Sequence, residues 1–271
     1  MSNRLDSVFR SALRYATAYE EYKARGVVPT LNPHDQEWDG NEPWQVQHYF
    51  DVGEDALCVI VAALSSADRQ SPRTILDFPS GSGRVTRQLR AFFPDAEIWV
   101  CDIDPEHLRF CAAQFGAKTT LSQHDLTNVR FEVDFDLIFC GSLLTHLPSR
   151  SATEALSLVS QSLSATGIGV VTLHGRHSSY IQRHEWKYID DESFAIAERE
   201  ASATGYGFVD YQGQMRQRFN HTGEYGVSLV KPSWVVARLE NNPAIRVLGY
   251  RERQWDDHQD VVVFGRPGVD D

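Results

Sequence analysis

The sequence predicts a doubly wound α/β domain, and two observations support this fold class. From residue 74 onwards, short apolar runs alternate regularly with helical patterns, which is typical of βαβ units in a parallel sheet covered on both faces. Near the end of the chain, the apolar runs Ile245–Glu252 and Asp260–Gly265 are close enough to pair antiparallel without a crossover helix. The sheet is therefore expected to be mostly parallel, with antiparallel strands at its end.

The first 70 residues are predicted to form a helical and aromatic cap, and residues 71–271 the α/β domain. Apolar and aromatic side chains near helical spacing predict an amphipathic helix over Leu5–Ala24. The aromatic-rich segment His34–Phe50 contains turn residues such as Asp39-Gly40 and is interpreted as loop. A second helix is predicted over Asp51–Leu64. The aromatic loop either packs onto the body of the domain or covers a ligand pocket.

Five strands and three helices are predicted to form the body of the domain. The strands are Thr74–Phe78, Glu97–Cys101, Thr119–Ser122, Phe135–Cys140 and Ile168–His174. The helices lie at about Val85–Phe93, Pro105–Phe115 and Ser151–Leu163. Because ligands bind beyond the carboxyl ends of parallel strands, the loops at 77–84, 102–105, 124–128 and 140–148 are expected to share one crevice.

The alternation stops after the fifth strand, where we predict an insertion at about residues 175–231. It contains a predicted helix, Asp191–Thr204, and two short predicted strands, Tyr206–Tyr211 and Val227–Val230, and a further helix is predicted over Ser233–Glu240. Both the cap and the insertion are expected to border the ligand crevice. Insertions of this length usually determine substrate choice or assembly.

Composition excludes several classes of function. Of 271 residues, 26 are Lys or Arg and 37 are Asp or Glu, giving a net charge of −11 without a basic cluster, which argues against binding of nucleic acid. No apolar run reaches the roughly 18–20 residues that cross a bilayer, and the first residues lack the apolar core of a signal peptide. The four cysteines show no CxxC spacing and are interpreted as small core residues. A cytoplasmic protein without membrane contact is expected.

The stretch at residues 74–84, TILDFPSGSGR, predicts a strand, a tight glycine turn and the start of a helix. Glycine permits both the sharp bend and the close approach of a ligand, and the helix start offers unpaired N–H groups. A dinucleotide site would show G-x-G-x-x-G/A, but Gly81-x-Gly83 is followed by Thr86 at the third position. This mismatch counts against NAD and FAD.

The remaining pattern resembles the class I S-adenosylmethionine-dependent methyltransferases, small-molecule type. The likeness covers about Ser71–Leu173 and the last 25 or so residues. It rests on the segments Asp77–Gly83 (first motif), Val100–Pro105 (second motif), His124-Asp125-Leu126, and Phe135–Cys140 followed by Thr145-His146-Leu147-Pro148. The two final runs resemble the antiparallel hairpin that closes the seven-stranded, Rossmann-like sheet of this superfamily.

The resemblance implies S-adenosyl-L-methionine as the cofactor. The residues expected to contact it are Asp77, Phe78, Pro79, Ser80, Gly81, Gly83, Asp102, Ile103, Asp125, Leu126, Cys140 and Gly141. Asp102 suits the ribose because a carboxylate accepts two hydrogen bonds from a vicinal diol. Asp125 either accepts from the adenine amine or caps a turn. Pro79 departs from the motif, since it replaces the first glycine, fixes φ and removes an N–H.

Two neighbouring residues are expected to have structural roles. Asp104 is predicted to cap the helix opened by Pro105, and Arg84 is predicted to pair with a nearby acid instead of touching the cofactor.

Methyl transfer from a sulfonium depends mainly on positioning, and a general base helps a hydroxyl acceptor. His146 is the first candidate base, because it lies just past the fourth strand; capping the next helix or packing beneath the cofactor is the alternative. His258 is the second candidate, with a structural loop role as the alternative. The other histidines considered do not have zinc-site spacing, so no metal is expected: His174, His177, His184 and His221.

The predicted function is methyl transfer to a small-molecule acceptor, at oxygen, with a sugar or other metabolite hydroxyl suggested by the resemblance. Three alternatives stay open: a protein methyltransferase, a non-catalytic partner subunit that binds the cofactor, and an NAD enzyme. An open groove would favour the protein methyltransferase. The lack of an acceptor pocket near the sulfonium would favour the non-catalytic partner subunit. A homodimer is left open as the assembly.

Overall fold

A computed structural model describes residues 3–35, 37–38, 42–213 and 224–267. The helices are α1 (Asn3–Arg25), α2 (Pro43–Ser66), α3 (Thr86–Phe92), α4 (Pro105–Phe115), α5 (Ser149–Gln161), α6 (Arg176–His184), α7 (Asp191–Thr204) and α8 (Pro232–Glu240). The strands are β1 (Thr74–Asp77), β2 (Glu97–Asp102), β3 (Lys118–Leu121), β4 (Phe135–Cys140), β5 (Leu163–Leu173), β6 (Tyr206–Asp210), β7 (Gly226–Val230), β8 (Arg246–Trp255) and β9 (Gln259–Gly265). A short 3₁₀ turn covers Leu126–Asn128.

The main sheet has seven strands in the order β3-β2-β1-β4-β5-β9-β8. Strands β1 to β5 are parallel, and β9 pairs antiparallel with both β5 and β8. The predicted doubly wound fold and its closing hairpin are therefore confirmed. The order reverses direction between β1 and β4, which creates the switch point where ligands bind in such sheets. Asp77, at the end of β1, lies opposite Val100 of β2 and Phe139 of β4 at this point.

Each face of the sheet is covered by its own apolar cluster, so the central strands are buried on both sides. One cluster joins α2, α3 and α4 to the sheet and includes Ile60, Leu89 and Phe115. The other joins α5, α8 and β6 to the opposite face and includes Leu156 and Trp234. Because both faces of the central strands are buried, these strands are continuous apolar runs in the sequence.

The predicted loop over His34–Phe50 is wrong for its second half, because α2 begins at Pro43. Proline is favoured in the first turn of a helix, where its missing N–H costs nothing. Tyr49 and Val52 belong to the buried face of α2, but polar residues around Gln45 and Gln47 weaken that helical pattern in the sequence. Asp39 and Gly40 lie outside the described residues.

The insertion folds around a small apolar cluster of its own. Helices α6 and α7 pack with the two-stranded antiparallel sheet of β6 and β7, and the cluster includes Tyr188, Phe194 and Val227. The predicted α7 is confirmed with the same bounds, whereas α6 has no counterpart in the sequence predictions. None of the described helices combines the length and apolar character required of a membrane span.

Candidate active site

A cavity of about 750 Å³ opens at the carboxyl ends of the parallel strands. This volume lies within the range of pockets that enclose small molecules, about 300–1,000 Å³. Its walls come from the loops after β1, β2, β3 and β4, as predicted. They also come from Asp35, Glu37 and His48, the α6–α7 connection, residues 224–225 and the β8–β9 turn. The cap and the insertion thus both reach the cavity.

The glycine turn after β1 is fixed by the carboxylate of Asp102. Asp102 accepts hydrogen bonds from the backbone N–H of Gly81 (2.8 Å) and of Asp104 (2.9 Å). Gly81 and Gly83 have φ angles of +49° and +80°, a region that favours glycine. A Cβ at Gly83 would overlap the ring of Phe115, whereas a Cβ at Gly81 would meet no atom within 4 Å. The turn therefore needs Gly83 for packing and leaves open space beside Gly81.

Asp77 is a buried carboxylate that lines the cavity. Its Oδ2 accepts a hydrogen bond of 2.6 Å from the hydroxyl of Thr86. Burial raises the pKa of Asp77 from 3.8 to about 7, although the Thr86 hydrogen bond opposes the shift. Thr86 occupies the position where a dinucleotide fingerprint requires a small residue. In this structure its hydroxyl donates a hydrogen bond to Asp77.

His107, on the first turn of α4, is a site residue that the sequence did not reveal. Its Nδ1 lies 3.5 Å from Oδ1 of Asp102, and both side chains line the cavity. The nearby Asp102 carboxylate raises the pKa of His107, and burial opposes this effect.

Most of the residues predicted to bind cofactor or catalyse the reaction lie in the cavity wall. These are Asp77, Phe78, Pro79, Ser80, Gly81, Asp102, Ile103, Leu126, Gly141, His146 and His258. Gly83 and Cys140 lie outside the wall, Cys140 being buried within β4. The bond between Phe78 and Pro79 is cis.

Asp125 also lies outside the cavity wall and caps the 3₁₀ turn by accepting from the N–H of Thr127 at 3.0 Å. The cap predicted at Asp104 is present, with its side chain accepting from Glu106 N at 2.8 Å. Arg84 pairs with Glu37 at 3.1 Å, in agreement with its predicted role.

The segment at residues 28–35, which follows α1, is hydrogen-bonded to the glycine turn and to α3. Asn32 Nδ2 donates to Ser82 Oγ at 2.9 Å, and the buried Arg87 donates to the carbonyls of Val28 (2.7 Å) and Thr30 (3.1 Å). These contacts hold the segment so that Asp35 enters the cavity wall. The sequence did not predict Asp35 as a site residue, because its place in the wall depends on the contacts of Asn32 with Ser82 and of Arg87 with Val28 and Thr30, which join distant parts of the chain.

The orientation of His146 is set by the insertion. Its Nδ1 lies 2.8 Å from the carbonyl oxygen of Gly226, and a carbonyl only accepts, so Nδ1 carries the hydrogen and Nε2 the lone pair. The backbone N–H of Gly226 donates to His146 O at 3.0 Å, and the ring of Tyr225 stacks on the imidazole at 4.9 Å. Burial lowers the pKa of His146 below 6.5. The imidazole is therefore neutral at pH 7.

His258 lies at the same end of the cavity, beyond His174. The hydroxyl of Tyr188 is 2.5 Å from His258 Nε2, and the His174 ring stacks on the His258 ring at 5.2 Å. His174 is also 5.9 Å from the ring of His146. Burial lowers the pKa of His258 to about 4 and that of His174 well below 6.5. This end of the cavity thus holds three uncharged imidazoles.

The loop after β4 is held in an unusual conformation by a ring of hydrogen bonds. Ser142 has a φ of +56°. Its N–H donates to Thr172 Oγ1 (2.8 Å), the Thr172 hydroxyl donates to Gln259 Oε1 (2.6 Å), and Gln259 Nε2 donates to Ser142 Oγ (3.1 Å). A positive φ in a non-glycine residue is uncommon and persists where surrounding contacts hold it. The ring therefore fixes the loop that leads to His146.

Among the described residues, no group of three or more His, Cys, Asp or Glu side chains is arranged to hold a metal ion. His174 contacts other aromatic rings, and His177 and His184 lie on α6. His221 lies outside the described residues.

Residues 75–167 match the family model for a methyltransferase domain. Solved structures with the same fold include an S-adenosylmethionine-dependent methyltransferase from Clostridium acetobutylicum ATCC 824, with 14% identity, 81% of this chain and 92% of that chain covered, and a TM-score of 0.52. SAM-bound CalS10, an amino pentose methyltransferase from Micromonospora echinaspora, has 13% identity, coverage of 83% and 97%, and a TM-score of 0.55. Streptomyces venezuelae DesVI has 13% identity, coverage of 85% and 100%, and a TM-score of 0.54. No curated protein sequence matches the chain.

The domain match, the sheet order and the glycine turn together define the class of protein. Residues 75–167 form a methyltransferase domain in a sheet of this order, as the sequence resemblance to the class I S-adenosylmethionine-dependent methyltransferases predicted. The protein is an enzyme that uses S-adenosylmethionine. The NAD enzyme that the sequence left open as an alternative is therefore set aside. The solved structures, at 12–14% identity, support the fold and leave the acceptor open.

Proposed function

We propose that this enzyme methylates a hydroxyl group of a small molecule, with His146 as the general base. The observation that carries the proposal is the hydrogen bond from His146 Nδ1 to the carbonyl of Gly226. It places the lone pair on Nε2 of a side chain that lines the cavity just beyond β4. A neutral imidazole with a defined tautomer is suited to accept the proton of a hydroxyl.

The residues of the cavity fit S-adenosylmethionine. Asp102 offers two carboxylate oxygens for a ribose diol, and Ile103 and Leu126 offer apolar faces on the same wall for an adenine ring. The open space beside Gly81 admits a ligand close to the backbone. Gly83, Cys140 and the cap residue Asp125 would then support this site through the backbone and packing, without contacting the cofactor.

S-adenosylmethionine supplies an activated methyl group on a sulfonium. The protein must therefore hold the acceptor oxygen in line with that methyl group, which is the larger contribution to rate, with effective molarities on the order of 10⁵–10⁸ M. The acceptor proton passes to Nε2 of His146, while Gly226 stabilises the charged ring through the Nδ1 hydrogen bond. Such a base contributes typically about 10²–10⁴-fold.

The shape of the cavity supports a small acceptor in preference to a protein segment. Trp186 and Tyr188 of the α6–α7 connection, Tyr225 before β7, and His258 of the β8–β9 turn all line the acceptor end. The insertion and the hairpin thus cover the region that an open peptide groove would leave exposed. The same pocket, present beside the proposed cofactor site, argues against a non-catalytic binding subunit.

The first experiment measures thermal stability with S-adenosylhomocysteine or NAD. A ligand at about 100 times its dissociation constant stabilises the native state by roughly 2.7 kcal/mol, so S-adenosylhomocysteine should raise the melting temperature and NAD should not. The variant Asp102→Ala should lose this response. Asp95→Ala, an exposed acid in the turn before β2, is the matched control and should keep it. An undiminished response in Asp102→Ala would show that the ribose is placed wrongly.

The second experiment measures turnover with methyl-labelled S-adenosylmethionine and hydroxylated acceptors. His146→Ala should lower kcat by about 10²–10⁴-fold and leave the response to S-adenosylhomocysteine unchanged. His184→Ala, on the exposed side of α6, is the control. Unchanged turnover in His146→Ala would remove this residue as the base, and labelling of nitrogen acceptors alone would refute O-methylation.

A further inference from the structure

We propose that His107 binds one hydroxyl of the cofactor ribose, beside the Asp102 carboxylate that accepts from the same diol. The assignment rests on the place proposed for the ribose at Asp102, and it is independent of the acceptor and of the base. It makes α4, through His107, a part of the cofactor site that distinguishes a ribose from a deoxyribose.

The first turn of α4 holds His107 next to the glycine turn. Asp104 caps this helix, and the N–H of Asp104 donates to Asp102 Oδ1 at 2.9 Å. Four residues after His107, at the spacing that shares one helix face, Cys111 Sγ lies 3.5 Å from the carbonyl oxygen of Gly81. His107 is therefore fixed on the face of α4 that meets the ligand-binding loop.

The two ring nitrogens of His107 have different surroundings. Nδ1 is buried and lies 3.5 Å from Asp102 Oδ1, which is longer than a strong hydrogen bond. Nε2 forms no hydrogen bond with a described residue. The side chain is 20% exposed and lines the cavity, so the edge of the ring that carries Nε2 is the part that a ligand can reach.

Three acids favour the protonated form of His107. They are Asp102 at the end of β2, Asp104 at the cap of α4, and Asp35 in the segment after α1. Asp102 contributes most, and the acids raise the pKa of His107 although burial opposes them. At pH 6 most of the rings therefore carry a hydrogen on both nitrogens. With Nδ1–H facing Asp102, Nε2–H is the group that the ring offers to a bound molecule.

The Asp102 carboxylate can accept from a diol but cannot donate to it. Each of its oxygens already accepts one backbone N–H, from Gly81 at 2.8 Å or from Asp104 at 2.9 Å, and each can accept one further hydrogen bond. A ribose hydroxyl that donates to Asp102 keeps lone pairs on its own oxygen. The Nε2–H of His107, beside the same carboxylate, is suited to donate to that oxygen.

The number of available groups predicts which contacts each residue makes. Asp102 has two oxygens and can serve both hydroxyls of the diol. His107 has one accessible nitrogen and serves one of them. Loss of His107 should therefore affect recognition of a single hydroxyl, whereas a change in the position of Asp102 should affect recognition of both.

The test measures dissociation constants by calorimetry at pH 6 for S-adenosylhomocysteine and for its 2′-deoxy and 3′-deoxy analogues. The wild type should bind each analogue at least about tenfold more weakly than the parent compound, because a site built for a hydroxyl is left unpaired without it. His107→Leu should bind S-adenosylhomocysteine about tenfold more weakly than the wild type does, the loss expected for one hydrogen bond to a charged group. In this variant the penalty should shrink by the same factor for one analogue and stay unchanged for the other.

Two conservative variants separate the roles of the two nitrogens. The amide of His107→Asn can take the place of Nδ1 beside Asp102 but does not reach the position of Nε2, so it should lose as much affinity as His107→Leu. The longer His107→Gln brings an N–H donor to the position of Nε2 and should recover part of the loss. Arg109→Gln, on the exposed side of α4, is the control and should leave all three dissociation constants unchanged.

The same penalties in His107→Leu and His107→Asn as in the wild type would overturn the inference. An equal fall in both penalties would show that His107 acts only by holding Asp102, and would also overturn the contact. Wild-type affinity for S-adenosylhomocysteine in Asp102→Ala would instead show that the ribose lies elsewhere, and would overturn the proposed place of the cofactor.

Discussion

The buried carboxylate of Asp77 should make the ligand-free enzyme less stable as pH rises. Asp77 is 1% exposed, and the only hydrogen bond that its carboxylate receives from a described side chain comes from Thr86. Burial raises its pKa from 3.8 to about 7. Between these values the folded state binds more protons than the unfolded state, so the free energy of unfolding falls as pH increases and levels off above pH 7.

The magnitude follows from the difference between the two pKa values. Each unit is worth about 1.36 kcal/mol, so the full difference is on the order of 4 kcal/mol. Between pH 5 and pH 8 the free energy of unfolding should fall by roughly 2–3 kcal/mol through this one group. The variant Asp77→Asn removes the ionisation and keeps an oxygen that can accept from Thr86. Its free energy of unfolding, relative to the wild type, should therefore rise by roughly 2–3 kcal/mol over the same range.

Urea denaturation without ligand at pH 5, 6, 7 and 8 provides the measurement. Glu21→Gln, an exposed carboxylate on α1, removes the same charge and is the matched control; its stability should follow the wild-type pH profile. Parallel profiles for the wild type and Asp77→Asn would refute the reasoning, because the acid would then ionise as easily in the folded protein as in the unfolded chain.

Three further predictions concern the packing and protonation of the site. Gly83→Ala should destabilise the fold by at least about 2 kcal/mol in urea denaturation, because its Cβ would overlap Phe115 at a positive φ; a loss below about 0.5 kcal/mol would contradict this. Thr172→Val should cost about 1–3 kcal/mol and lower kcat, because it leaves the N–H of Ser142 unpaired; an unchanged melting temperature would contradict the role of the ring. The pH profile of kcat should stay level from pH 8 to below 6.5, because His146 remains neutral there, whereas a midpoint above 6.5 would argue against it as the base.

The sequence predicted best those elements whose pattern is local. Helix α4 has the predicted bounds, Pro105–Phe115, because its start and end are both encoded by neighbouring residues. Asp104 caps its first turn, and Gly116 ends it with a φ of +61°. The strands of the parallel sheet were likewise apparent as short apolar runs between turns. Local chemistry therefore predicted the sheet and the approximate place of the site.

The parts that were not predicted depend on contacts between distant segments. The ring of hydrogen bonds around Ser142 joins the loop after β4 to Thr172 of β5 and Gln259 of β9. Nothing in the sequence near Ser142 indicates a left-handed residue, because serine adopts it only when the other two side chains hold it. His107 is a second example, since it belongs to the site only because the fold places it beside Asp102. Single-sequence patterns contain no information on such pairs.

The same distinction explains why the two candidate histidines were identified without the contacts that orient them. Position relative to β4 and β9 suggested His146 and His258 as candidates, but each ring is oriented by a partner in the insertion: the carbonyl of Gly226 for His146 and the hydroxyl of Tyr188 for His258. The loops after the parallel strands form the part of the cavity wall that we propose for the cofactor. Because both rings contact the insertion, we expect the acceptor to change when the insertion changes, while the cofactor stays the same.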